Sequence, residues 1–285
     1  MLKKRVISSV ILLSVFLYSF LYESPIFFLL IVLFAGLTVI YELSKLLSLS
    51  DIPLLFYWLL SILPIIFFYS IFLIINFSPE SDHIFLRSIL KNFAIVMSLI
   101  GTIFWLILVP IDIFYKKISL NSKFKILYGY LMVSPMIVVA SLLFIENKIL
   151  ILILFFMIIC SDVGAYFIGK AFGKNKLAKH ISPGKTIEGA FGGFLFNLIF
   201  VFFVNKFYFI DLKILFGFAL LITTLSIYGD IYQSFLKRRI KVKDSGSIIP
   251  GHGGMFDRLD GFCPTLPIFY LLVSTSTLFL LKLST

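Results

Sequence analysis

Residues 53–77 read PLLFYWLLSILPIIFFYSIFLIINF, 25 residues without one charged side chain. A bilayer core of ~30 Å is crossed by about 20 apolar residues in helical form. The stretch therefore predicts a membrane-spanning helix. The same pattern recurs along the chain, giving nine candidate spans at 6–22, 26–41, 53–77, 93–115, 126–145, 149–169, 189–205, 214–230 and 264–281. Only Glu23, Ser24 and Pro25 separate the first two, which predicts a tight hairpin. Composition agrees: 60% of the 285 residues are hydrophobic and 14% are charged, with a mean hydropathy of +1.09. Soluble domains carry about 25% charged residues, so water is not the main solvent of this chain. A disordered chain, a collagen-like fibre and a disulfide scaffold are excluded. The fold class expected is all-α: a polytopic integral membrane protein with about nine transmembrane helices, eight being the alternative count.

The N-terminal stretch MLKKRVISSVILLSVFLYSFLYESP, residues 1–25, has the basic start and apolar core of a signal sequence. It lacks a small-x-small cleavage pattern and reads as an uncleaved first helix. Lys and Arg accumulate on the cytoplasmic side of membrane proteins, and Lys3, Lys4 and Arg5 place the N-terminus there. With nine spans, the cytoplasmic loops hold Lys45, then Lys116, Lys117, Lys123 and Lys125, then Lys170, Lys174, Lys176, Lys179 and Lys185, and finally Lys237 to Arg258. The opposite side holds Arg87, Lys91, Lys148, Lys206, Lys213 and Lys282. A count of eight breaks this alternation. The net charge of +11 fits a topology signal, and an anionic substrate or lipid would add to the same excess; charge alone does not separate the two. Nucleic-acid binding does not fit a chain made mostly of bilayer-length apolar runs. Cys160 and Cys263, each at the edge of an apolar run, read as small buried hydrophobes.

The chain reads as one membrane domain, 1–285, with an N-terminal helical part at 1–150. Polarity is concentrated in the catalytic part at 151–285, whose cytoplasmic loops are 170–188 and 236–262. The windows 161–193 and 229–261 contain 13 of the 17 glycines, and residues 230–260 carry ten charged side chains. Glycine lets backbone approach a ligand closely, so these windows are where chemistry is expected.

The second window reads GDIYQSFLKRRIKVKDSGSIIPGHGGMFDRLDG, residues 229–261. If helix continues past Asp230, Ser234 and Lys237 fall on its face at i+4 and i+7. Mg²⁺ prefers oxygen ligands and is held by one or two carboxylates plus substrate phosphates. Asp230 and Asp257 bracket the loop and are the candidate metal ligands. Lys237, Arg238, Lys243 and Arg258 suit neutralisation of phosphates and of a charged transition state. Gly251, Gly253 and Gly254 offer backbone N–H groups to a phosphate. A stop-transfer signal explains Arg239 and Lys241 equally well, but not four aspartates, which are costly near a membrane unless partnered.

This segment closely resembles the signature of the phosphatidate cytidylyltransferase family, the CDP-diacylglycerol synthases. The matching elements are Ser234, Lys237–Arg238, Lys243–Asp244, Pro250, His252–Gly253–Gly254, Asp257–Arg258 and Asp260, twelve defined positions over 27 residues. The resemblance implies a multispan enzyme that uses CTP and Mg²⁺, with Asp230 and Asp257 as the metal-binding aspartates. It places Lys237, Arg238, Lys243, Asp244, His252 and Arg258 among the catalytic residues. It places Ser234, Gly253, Gly254 and Asp260 with the bound substrate. Gly261–Phe262–Cys263 departs from the small residues common in relatives.

The first window, SDVGAYFIGKAFGKNKLAKHISPGKTIEGAFGG at 161–193, resembles the same family in its Asp-x-x-Ala-Tyr, Gly-Lys and Ser-Pro-x-Lys-Thr elements. Ile187 replaces a tryptophan usual there, and Lys179 a proline. A phosphate-binding P-loop is rejected, because Lys179 stands where its first glycine belongs. Ser182 to Thr186 reads as a loop ending at a helix start, with Thr186 as N-cap and Glu188 in the first turn. Asp162, Ser182, Lys185 and Thr186 are the nucleotide or phosphate contacts expected.

Outside these windows, Asp112 is expected to pair with Lys116 at i+4 or to line a cavity, and Glu42 with Lys45 likewise at i+3. The reaction implied by the resemblance is CTP plus phosphatidic acid giving CDP-diacylglycerol and pyrophosphate, at the cytoplasmic face of the inner membrane. A phosphomonoester has its second pKa near ~6, so phosphatidate attacks without a strong base. His252 then reads as a loop or phosphate-contacting residue rather than a base. A second cation and a homodimer are left open. The rivals are a CTP-dependent lipid or polyprenol kinase, which releases CDP instead, and an anion transporter, whose polar groups would lie near the bilayer midplane. A CDP-alcohol phosphotransferase is excluded, because Phe262, Cys263, Pro264 and Thr265 follow Asp260–Gly261 where its motif requires Ala-Arg.

Overall fold

The computed structural model describes residues 2–21, 25–49, 51–115, 122–208, 212–249, 251 and 253–275. Apolar runs with few Gly or Pro form helix throughout, because backbone polar groups in lipid must be satisfied within the segment. The order is α1 (Leu2–Leu21), α2 (Ile26–Leu46), α3 (Asp51–Phe77), α4 (Glu80–Ile103), a π-helical turn (Phe104–Leu108), α5 (Val109–Tyr115) and α6 (Ser122–Phe172). A hairpin of β1 (Lys176–Ala178) and β2 (Ser182–Thr186) follows, then α7 (Ile187–Tyr208), α8 (Leu212–Arg239), α9 (Phe256–Leu259) and α10 (Phe262–Thr275). The fold is all-α in class, the hairpin being its one sheet among the described residues. The chain is an integral membrane protein.

Six described helical stretches are long and apolar enough to cross a membrane. Two exceed one crossing: Glu80–Phe114 has 35 residues and Lys123–Phe172 has 50. The longer is α6, which breaks at Asn147 (φ −156°, ψ 89°). The Asn147 side chain accepts the Leu150 N–H at 3.0 Å, capping the helix that restarts there. The runs 126–145 and 149–169 thus lie on either side of one break. The run 264–281 coincides with α10 up to residue 275 and then leaves the described residues.

The widened turn between α4 and α5 has a local cause. Pro110 has no N–H to offer, so the carbonyl of Trp105, five residues earlier, lacks a π-type partner. The Tyr228 hydroxyl of α8 donates to that carbonyl at 3.0 Å, and the Tyr128 hydroxyl of α6 donates to the Leu108 carbonyl at 2.8 Å. A second tie links the same elements. Asp112, fully buried in α5, receives both guanidinium nitrogens of Arg239 (2.7 and 3.0 Å) and the Tyr232 hydroxyl (3.1 Å). The expected partner, Lys116, lies outside the described residues, and the pairing seen is 127 positions away in sequence rather than one turn away.

Helices α6 and α7 pack on glycine. A Cβ at Gly193 would lie 2.7 Å from the Ser161 carbonyl oxygen, one at Gly192 2.7 Å from that of Gly164, and one at Gly189 2.9 Å from that of Ala165. Close approach of small residues is how helices associate where lipid removes the hydrophobic drive. Here it sets the face of Asp162, Ala165 and Tyr166 beside the start of α7. The hairpin closes the same corner, pairing Lys176 with Thr186 and Ala178 with Ser182. Ser182 to Thr186 was expected as a loop; it forms β2 because residues 176–178 supply an antiparallel partner. Cys160 and Cys263 are free thiols, and Cys263 is buried.

Gly193→Leu forces the α6–α7 backbones apart and is expected to cost about 1–3 kcal/mol, read as a fall of several degrees in the melting temperature in detergent. Gly217→Ala, whose added methyl meets nothing within 4 Å, leaves the melting temperature near that of the parent.

Candidate active site

Helix α8 runs unbroken through Asp230 to Arg239. Helical spacing therefore lines up Asp230, Ser234 and Lys237, and the Ser234 hydroxyl reaches Asp230 at 3.4 Å. The helix ends in a double turn: the Lys241 N–H bonds the Arg238 carbonyl and the Val242 N–H the Lys237 carbonyl, with Lys241 left-handed at φ 58°. This is the Schellman arrangement. It reverses the chain and brings Ser245 back toward α9.

What meets there is Asp257. Its Oδ1 accepts the Lys237 ammonium at 2.7 Å, and its Oδ2 accepts the N–H groups of Ser245 (2.9 Å) and Gly254 (3.0 Å). Gly253 sits at φ +85°, and a Cβ there would come within 2.7 Å of Asp257 Oδ2, so only glycine lets the loop wrap this closely. Burial alone would raise the Asp257 carboxyl. The Lys237 ammonium and the Gly254 and Ser245 N–H groups outweigh it and hold the group below the usual carboxylate range.

Asp257 borders a cavity of about 310 Å³ where the ends of α6, β2, α8 and α9 converge. Asp162, Lys185, Thr186, Asp230, Asp257, Arg258 and Asp260 all line it, with Tyr166, Leu177 and Ile227 as apolar wall. Lys185 makes an ion pair with Asp230 at 2.5 Å. Ser226 donates to Asp162 at 3.2 Å. Thr186 caps α7 by accepting the Gly189 N–H at 3.0 Å, so it serves as cap and cavity wall together. Burial, then the negative charges of Asp230 and Asp162, push the Asp260 carboxyl well above its ordinary value.

The structure thus brings together seven of the expected site residues. The others fall into distinct places. Lys237 is buried behind Asp257 and also donates to Gln233 at 3.0 Å. Arg238 donates to the Val242 carbonyl at 3.0 Å and ties the turn. Lys243 and Asp244 are exposed and, like Ser182, Ser234, Gly253 and Gly254, are not among the cavity-lining residues. The Gly254 N–H points at Asp257 rather than at open space. His252 and Pro250 lie outside the described residues. Reading the sequence alone missed Ser245 and Gln233, whose neutral side chains carry no signal at this spacing. It also misassigned Glu42: Lys45 lies over the Tyr41 ring at 4.1 Å, and Glu42 turns instead to the loop before α9.

Four carboxylates facing one cavity give a hard-oxygen donor set that fits a divalent ion. Among the described residues no three His, Cys, Asp or Glu groups converge closely enough to hold an ion unaided. Mg²⁺ commonly needs only one or two carboxylates when phosphates complete its shell.

A sequence model of the cytidylyltransferase family matches residues 3–276 of this chain. A phosphatidate cytidylyltransferase from Haemophilus influenzae is 29% identical over 288 residues, covering 94% of this chain and 97% of the relative. One from Aquifex aeolicus is 37% identical over 166 residues, 58% of this chain and 62% of the relative. One from Bacillus subtilis is 45% identical over 119 residues, 40% of this chain and 43% of the relative.

Lys237→Ala leaves the buried Asp257 carboxylate without its cation. Breaking a buried pair from one side costs about 3–5 kcal/mol. The variant is expected to unfold several degrees below the parent in detergent, as followed by tryptophan fluorescence.

Proposed function

The chain belongs to the cytidylyltransferase family, and from that membership we propose that it transfers the cytidylyl group of CTP to phosphatidic acid, giving CDP-diacylglycerol and pyrophosphate. One observation carries this reading: a cavity lined by four carboxylates, a lysine and an arginine, built on the ends of membrane helices. A water-soluble polyanion and a lipid phosphate can meet there while acyl chains stay among the helices. By the charge alternation along the chain, this end faces the cytoplasm across the inner membrane.

In the proposed reaction a phosphatidate oxygen attacks the α-phosphorus of CTP. The new P–O bond forms as the bond to the β-phosphate oxygen breaks, and that electron pair leaves with pyrophosphate. The lipid phosphate is largely dianionic at neutral pH, so no residue need remove a proton. The obstacle is repulsion between two polyanions, and positioning with electrostatic stabilisation supplies the rate.

Lys185 and Arg258 face the cavity and are assigned to phosphate oxygens. Asp230 and Asp257 would hold Mg²⁺, and Asp162 and Asp260 line the same cavity. When bound, Mg²⁺ would supply charge neutralisation for the phosphate oxygens and the leaving pyrophosphate. Lys237 holds Asp257 from behind, and Ser234 supports Asp230. Thr186 presents its hydroxyl from the head of α7. All of these residues come from one chain, so a homodimer is compatible with the site but not required by it.

Purified protein given CTP, phosphatidate vesicles and Mg²⁺ is expected to release pyrophosphate and form CDP-diacylglycerol. Release of CDP with a doubly phosphorylated lipid would point to a kinase instead. Asp230→Asn is expected to lower pyrophosphate release by roughly 100-fold or more with insertion and detergent elution unchanged. Asp257→Asn is expected to lose as much and also to melt below the parent, because it leaves the buried Lys237 ammonium without its carboxylate. Near-parent activity in either variant removes that residue from the metal assignment.

A further inference from the structure

Glu42 lies in the last turns of α2, some 200 positions before the loop it touches, and is 1% exposed. Its Oε1 accepts the Met255 N–H at 3.0 Å. Its Oε2 accepts the Phe256 N–H at 2.9 Å and the Ser245 hydroxyl at 2.8 Å. Both oxygens act as acceptors, a pattern that a carboxamide cannot reproduce. Two glycines give it room: a Cβ at Gly246 would lie 2.6 Å from Oε1, and Gly254 packs against the same carboxyl. Among the described residues Glu42 forms no ion pair with Lys or Arg. A buried carboxylate without a cation is expensive. Its compensation is the set of donors on this one loop.

Those donors belong to the loop that grips Asp257. The Ser245 hydroxyl is 2.8 Å from Glu42 and 3.1 Å from Asp257 Oδ2, and it has one proton for two acceptors. Whichever acceptor takes that proton, the hydroxyl sits between the two carboxyls, and Asp257 does not depend on it alone. Asp257 is held on this side by the backbone N–H groups of Ser245 and Gly254. Ser245 is fixed through its hydroxyl, and Gly254 is fixed by its neighbours Met255 and Phe256. We infer that Glu42 is a positioning residue for the reaction: from α2 it anchors the Ser245–Phe256 loop, and through the loop's backbone it sets the orientation of Asp257 toward the cavity. The catalytic consequence rests on the proposed role of Asp257, whereas the anchoring does not.

The test uses full-length Glu42→Gln, Ser245→Ala and the double variant in phosphatidate-containing vesicles, with two readouts. Amide hydrogen exchange reports local opening without reference to activity. In Glu42→Gln, exchange of peptides covering residues 245–257 is expected to rise about tenfold, while peptides from α6 and α7 match the parent. In turnover, Glu42→Gln is expected to lower kcat by about 10–100-fold, the range for residues that orient a metal-site ligand. KM for CTP should change by less than about 3-fold. Ser245→Ala keeps the backbone N–H to Asp257 and should lose less. The double variant should be no worse than Glu42→Gln, because both changes act through one loop.

Unchanged exchange in the loop, exchange raised across the whole protein, a near-parent kcat, a loss confined to KM, or losses that multiply in the double variant would each overturn the inference. If the parent protein releases no pyrophosphate, the proposed function fails. The exchange comparison then still decides whether Glu42 anchors the loop.

Discussion

The carboxylate of Asp257 joins three pieces of chain that would otherwise be independent. Lys237 reaches it from the last turns of α8 at 2.7 Å, and the N–H groups of Ser245 and Gly254 reach it from the following loop. At the edge of a membrane, a carboxylate and an ammonium buried this far are costly unless each finds partners. Satisfying both at one point fixes where α8 ends, how the loop returns and where α9 begins. Asp230, two turns before Lys237 on the same face of α8, and Arg258 and Asp260, just after Asp257, take their places from that junction.

The other half of the cavity is delivered by close helix packing. The glycines at 189, 192 and 193 allow α7 to touch the backbone of α6 near Ser161 to Ala165. Asp162 and Tyr166 thereby stand beside Thr186 and Lys185. Glu188 then pins the hairpin by accepting the N–H groups of Lys174 and Asn175. Two kinds of interaction thus build one site: backbone contact without a hydrophobic drive on one side, buried polar satisfaction on the other.

The basic residues of the second glycine-rich window divide by depth. Lys237 and Arg239 are committed to buried aspartates, Asp257 and Asp112. Arg238 ties a turn, and Lys243 is exposed. Among the described basic residues of this window only Arg258 lines the cavity, joined there by Lys185 from the other. A run of cations that looks uniform in sequence is therefore partly framework and partly chemistry. The difference is the direction each side chain takes from its helix.

Much was legible from residue order. Apolar runs of bilayer length gave the helical class, because lipid leaves the backbone no other partner than itself. Whether helix continued past Asp230 was open in the sequence, and α8 does continue to Arg239; the two glycine-rich windows marked where the cavity lies, because glycine and charge are both costly in lipid unless used. The capping role of Thr186 was visible as well. The tertiary structure alone decided which charges meet. Asp112 pairs with Arg239, 127 positions away, and Glu42 serves a loop more than 200 positions away rather than Lys45 on its own helix. Such pairings depend on how helices far apart in sequence come to lie side by side. Local spacing carries no information about that, since any buried charge accepts whichever partner packing brings within reach.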